Sequence, residues 1–194
     1  MIKFIFQLAS QPLMRTKEFA LSVILGALGN VIGIASLEIF SVISPQVALD
    51  LSHYGTFLSA AILGPKYGLL TGLIVSISPY VRFGLQGAYG PIFGALIFPG
   101  KAMTGYFSGL LMKRTRPIVA VILGYVPESI FTYLTIAIWA PMFLSREALA
   151  VIPPSVVALI LAKAWAEVIV LAFLAELSVK KLCGRVVICY CQRL

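Results

Sequence analysis

Four charged side chains lie in the middle of long apolar runs: Lys101, Glu128, Lys163 and Glu167. A charge at the centre of a hydrocarbon layer costs about 2.5–3.5 kcal/mol on insertion scales. Each is therefore expected to face a protein interior, to find a partner, and to mark a pathway or a ligand. Two of each sign can neutralise one another. Lys163 and Glu167 are four apart and share one helical face. Lys101 shares a face with Gly94, Phe98, Gly105 and Ser108, and Glu128 belongs to a polar stripe with Gly124, Thr132, Thr135 and Trp139. The chemistry this suits is noncovalent: Lys101, Glu128, Thr132, Lys163 and Glu167 hold the polar atoms of a small molecule. Tyr89 covers it from a glycine-rich segment, Gly84 to Pro91, which with Ala48 to Tyr54 forms a roof. The structural alternative is a buried salt-bridge set that fixes helix register.

Other chemistries find less support. The run from Gly94 to Lys101 resembles a phosphate-binding loop, but five residues separate its glycines and Ala102 stands where Ser or Thr should hold magnesium. No nucleotide site is expected, so any energy source must lie on another chain. His53 is the single histidine and has no neighbouring ligand set; it reads as structural or interfacial. Cys183, Cys189 and Cys191 crowd the C-terminus without zinc spacing and read as free thiols. No metal or cofactor is expected.

The elements that must position these groups follow from composition. Of 194 residues, 60% are hydrophobic and 11% charged, against roughly 25% charged in an ordinary soluble domain. A soluble fold has no interior large enough for that surface, whereas a bilayer accepts it in helices of about 20 residues. The expected fold is an all-α integral membrane protein forming one transmembrane domain over residues 1–194, with six helices between residues 18 and 180. Spans are expected at about Glu18–Phe40, Val47–Leu63, Tyr67–Val81, Ile92–Met112, Ile118–Phe143 and from Pro153-Pro154 to Val179. Ser78-Pro79 should close the third, and Pro127 should tilt or kink the fifth. Residues 1–17 read as an interfacial segment without a cleavable signal, and 181–194 as a cytoplasmic tail.

The formal charge of +8 could suggest nucleic acid, but the basic residues cluster at span ends. With the N-terminus inside, the inner flanks hold Lys3, Arg15, Lys17, Lys66, Lys113, Arg114, Arg116, Lys180, Lys181, Arg185 and Arg193, and the outer flanks only Arg82 and Arg146. Cytoplasmic flanks carry the excess of Lys and Arg. Both termini are thus expected in the cytoplasm, with the chain in the plasma membrane, surrounded by lipid. On the first span, Ser22, Gly26, Gly29, Gly33 and Ser36 recur at spacings of four and three, a ribbon that lets another helix approach closely. That helix belongs either to this chain or to a partner subunit.

The segment Asp50-Leu-Ser-His53, the turn Leu63-Gly-Pro-Lys-Tyr-Gly68 with Gly72, and Gly100-Lys101 with Gly105 and Gly109 resemble the substrate-binding S components of energy-coupling factor (ECF) vitamin transporters. These motifs cover the middle third of the chain; the six-span plan covers all of it. The resemblance implies capture of a vitamin or related micronutrient on the outer face, with a coupling membrane subunit and two ATPase subunits as partners. In that family an A-x-x-x-A surface on the first helix meets the coupling subunit; here Ser22-x-x-x-Gly26 and Gly29-x-x-x-Gly33 stand in its place. The turn and the Gly-Lys segment are most similar to the riboflavin-type branch. Two other readings are a membrane enzyme acting on a lipid precursor through Glu128 and Glu167, and a scaffold without transport. The enzyme lacks the paired Asp motif or His cluster that metal-assisted phosphoryl chemistry needs.

Overall fold

The structure is a computed structural model describing residues 16–41, 50–87, 90–143, 149, 154–183 and 190. Its principal elements are α1 (Thr16–Ser41), α2 (His53–Leu63), α3 (Pro65–Val75), α4 (Ile77–Pro79), α5 (Gly90–Gly94), α6 (Ile97–Met112), α7 (Pro117–Tyr133), α8 (Ala140–Phe143) and α9 (Pro154–Cys183). Two π-helical segments, Tyr80–Leu85 and Leu134–Trp139, extend α4 and α7. There is no strand among the described residues. Four runs, Thr16–Ser36, Pro65–Leu85, Pro117–Phe143 and Ser155–Leu182, are long and apolar enough to cross a membrane. The all-helical, membrane-type architecture thus agrees with the composition. With 11 and 16 residues, α2 and α6 rise only about 16 and 24 Å, short of the roughly 30 Å of a hydrocarbon core.

Side-chain and backbone contacts give the helix directions. Glu18 accepts from the Tyr67 hydroxyl at 2.7 Å, and Arg82 meets Glu38 at 3.0 Å, so α1 runs parallel to the Pro65–Leu85 run. Gly68 abuts Gly105, and Gly109 abuts Pro65, making α3 and α6 antiparallel. Ser108 lies on Gly124, and Ile118 N–H donates to Glu176 at 3.2 Å, so α7 runs against both α6 and α9. One end of the bundle consequently gathers Lys17, Lys66, Lys113, Arg114, Arg116, Lys180 and Lys181, while the other carries Arg82 among the described residues.

Prolines shape the runs differently from expectation. Pro79 was expected to end the third span, yet helix continues through it to Leu85. Asn30 of α1 braces the turn just before the proline, where its side-chain amide enters the backbone ladder: Nδ2 donates to Ile74 C=O at 2.7 Å and Oδ1 accepts from Ser78 N–H at 3.1 Å. A donor and acceptor that would normally bond each other are thereby both satisfied where no water is at hand. The fourth span is broken instead, because Pro99 cannot donate to Ala95 C=O. That carbonyl accepts from Phe98 at 3.2 Å, and a turn separates α5 from α6. Pro127 lies inside α7; the departure from α geometry follows it, at Leu134–Trp139.

The small-residue ribbon of α1 faces its own chain. Ser22 is buried and its carbonyl accepts from Thr71 at 3.2 Å, while Gly26 packs on Ile74, Gly29 on Val75 and Ser52, and Gly33 on Ser52, Ser78 and Asp50. Of the two uses open from the sequence, internal packing occupies these four residues. The opposite face of α1, with Ile24, Val31 and Ile39, is exposed and apolar, as a lipid-facing side requires. Tyr190 packs its ring on the Gly64 turn; residues 1–15 and most of the tail, with Cys189 and Cys191, lie outside the described residues.

Candidate functional site

The site begins where α2 begins. Its N-terminal end sits beside Lys101 of α6, Glu128 of α7 and Glu167 of α9, so its free backbone amides need partners inside the bundle. Glu167 accepts from Asp50 N–H at 2.6 Å, Ser36 Oγ from Leu51 N–H at 3.2 Å, and Asp50 Oδ1 from Ser52 N–H at 3.0 Å. Three consecutive amides are thus satisfied by side chains. The expected roof is corrected here: Asp50, Ser52 and His53 are buried and carried inward, Gly84 packs on Gly94 and Tyr80, and Ala48, Leu49 and Tyr89 lie outside the described residues. The reason is that Asp50 meets the Lys101 ammonium on α6 and His53 meets the Glu128 carboxylate on α7.

The ion pairs differ from the simplest matching of two acids with two bases. Lys101 is 4% exposed, and its ammonium donates to Asp50 Oδ2 and Ser52 Oγ, each at 2.8 Å. Lys163 and Glu167 pair within α9 at 3.2 Å, as their spacing suggests. Glu128 takes His53, whose Nε2 stands 3.4 Å from Oε1, and accepts from Thr104 through Oε2. Behind it Tyr125 meets the rings of His53 and Trp165 edge-on, and Trp165 Nε1 donates to Ser129 at 3.0 Å.

A cavity of ≈ 190 Å³ opens beside this network. Its polar wall is Glu128, Thr132, Thr135 and Lys163; its apolar wall includes Phe83, Phe93, Phe131, Ile136 and Ile160. Both π segments contribute, Phe83 from one and Thr135 and Ile136 from the other, consistent with the frequent use of π turns at functional sites. Phe93 and Leu96 are shared with a wider apolar groove of ≈ 570 Å³ bordered by Gly90, Ile92, Trp139 and Phe143. The polar stripe of α7 and the π segment after it therefore leads from the buried network to that groove.

Of the residues expected to hold a ligand, Glu128, Thr132 and Lys163 border the cavity, and Lys101 and Glu167 stand behind it in ion pairs. The sequence reading missed Asp50, Ser52, His53 and Thr104 as members of the network. Thr104 had a signal, being three residues from Lys101 on one face; His53 and Asp50 had only their position beside an apolar run. The chain matches no protein-family model, no curated protein and no solved structure.

Proposed function

We propose that this chain is the membrane-embedded substrate-binding subunit of an uptake system for a vitamin or related micronutrient. It spans the plasma membrane six times with both termini cytoplasmic. Support for the orientation comes from the basic residues gathered at one end of the bundle. The cavity lies among Pro79, Phe83, Phe93 and Leu96, toward the opposite end, where an external solute enters.

The observation that carries this reading is the pairing of a half-open, aromatic-lined cavity with a carboxylate and an ammonium held in place by buried partners. Small-molecule sites are mostly apolar with a few fixed polar groups, and this wall has that composition. Purely structural ion pairs would not require Glu128 and Lys163 to border a cavity. The energy-coupling factor resemblance supplies the partners: a coupling membrane subunit and two ATPases. A cavity of ≈ 190 Å³ lies below the roughly 300–1,000 Å³ of drug-sized pockets. It therefore suits a compact ligand, or part of a larger one such as riboflavin reaching into the groove. In cells carrying the coupling subunit and ATPases, expression of this chain is expected to cause accumulation of one radiolabelled vitamin from a panel. Without them accumulation should stay at background. Uptake of no vitamin in either setting would overturn the assignment.

A further inference from the structure

The network holds three buried carboxylates, Asp50, Glu128 and Glu167, the buried ammonium of Lys101 and the half-buried one of Lys163. Lys101 bonds Asp50 and Ser52, and Lys163 bonds Glu167, so each ammonium is matched by an acid other than Glu128. The hydrogen bonds of Lys101 go to Asp50 and Ser52, not to Glu128. What remains for Glu128 is His53. Its Nδ1 is buried with no partner among the described residues, while Nε2 faces the carboxylate. A doubly protonated imidazole would bury an unpartnered N–H; the neutral tautomer, donating from Nε2, leaves only a bare lone pair there. Glu128 is therefore held by two neutral donors, the His53 N–H and the Thr104 hydroxyl, and among the described residues one negative charge in the network has no matching cation. That charge is on the cavity wall.

Lys163 on the same wall is matched by Glu167, and the apolar part of the wall suits the missing charge. Phe83, Phe93 and Phe131 border the same cavity, and aromatic faces attract organic cations, most strongly where water is excluded. Thr135 Oγ1, on the wall and buried, has no partner among the described residues and is free to meet a polar atom of the ligand. We infer that the cavity selects an organic monocation, a protonated amine, a quaternary ammonium or a charged nitrogen heterocycle on a compact apolar body, with its positive centre against Glu128. The inference rests on the binding reading above and names the ligand class of that site.

The test compares phenyltrimethylammonium, its neutral isostere tert-butylbenzene and the anion benzenesulfonate by thermal unfolding of the purified full chain in lipid nanodiscs. The cation is expected to raise Tm by about 3–6 °C at tenfold excess over its Kd, with no comparable shift from the other two. Glu128→Gln should bind the cation at least about tenfold more weakly. Should Glu128→Gln fail to fold, the comparison of the three probes on the native chain still decides. Equal stabilisation by tert-butylbenzene, or preference for benzenesulfonate, would overturn the charge assignment and leave a binding cavity. If none of the three shifts Tm while a neutral vitamin does, the inference is wrong and the uptake reading stands; if no probe and no vitamin shifts Tm, both fail.

Discussion

Gly105→Ala is expected to destabilise the protein by more than about 3 kcal/mol, although alanine is the better helix former by about 1 kcal/mol. A Cβ at Gly105 would collide with the carbonyl of Gly68 and reach Thr56 Cγ2 at 2.8 Å. Backbone atoms cannot rotate away as a flexible side chain can, so α3 and α6 must separate. The same crossing continues at Gly72, whose Cβ would meet the Lys101 carbonyl, and at Gly109 against Pro65. Gly100 is the internal control on the same helix: its Cβ would find Glu128 Cγ at 3.6 Å and Phe131 at 3.7 Å, ordinary contacts. Gly100→Ala should therefore unfold no more easily than the native chain. Thermal unfolding in detergent separates the two, since 1 kcal/mol moves Tm by about 2–4 °C at this size. Equal melting of the two variants would show that the helices are not held at glycine distance.

Lys101→Met should cost about 3–5 kcal/mol, because it strands the Asp50 carboxylate in the interior. The residue is of similar length and apolar, so the loss reports the charge rather than the volume. Asp50 would keep the Ser52 N–H but lose its only ammonium partner among the described residues. Adding Asp50→Asn should recover part of the loss, giving a coupling of roughly 1–3 kcal/mol in a double-mutant cycle. An additive cycle would mean that the pair does not form. Because α2 is anchored through Asp50, Lys101→Met should also loosen the start of that helix, read as faster amide exchange at residues 53–57.

Much of this arrangement could be read from local pattern. Helical class, the apolar runs and the gathering of Lys and Arg at alternate span ends follow from composition and from the cost of charge in hydrocarbon. The i,i+4 pair Lys163 and Glu167 is local and was legible for that reason. Partners distant in sequence were not. Lys101 could meet any buried acid, and it is Asp50, 51 residues away, that arrives beside it. His53 looked interfacial because nothing nearby in sequence could hold it, and Glu128 is on another helix. The glycines of α1 announce a close approach but carry no mark of which helix makes it. Pro79 shows the limit from the other direction: helix passes through a local breaker, and Asn30, a tertiary partner, holds the Ile74 carbonyl and the Ser78 N–H just before it.

The central claim is that the cavity bordered by Glu128, Thr132, Thr135 and Lys163 holds a small molecule. Native mass spectrometry of the full chain, released from nanodiscs made directly from cell membranes, measures this most directly. The account predicts one retained small molecule per chain, identifiable after ejection, and its loss in Thr132→Trp, where an indole fills the cavity of an otherwise folded protein. A bare-chain mass alone, or a ligand retained equally by Thr132→Trp, would contradict it.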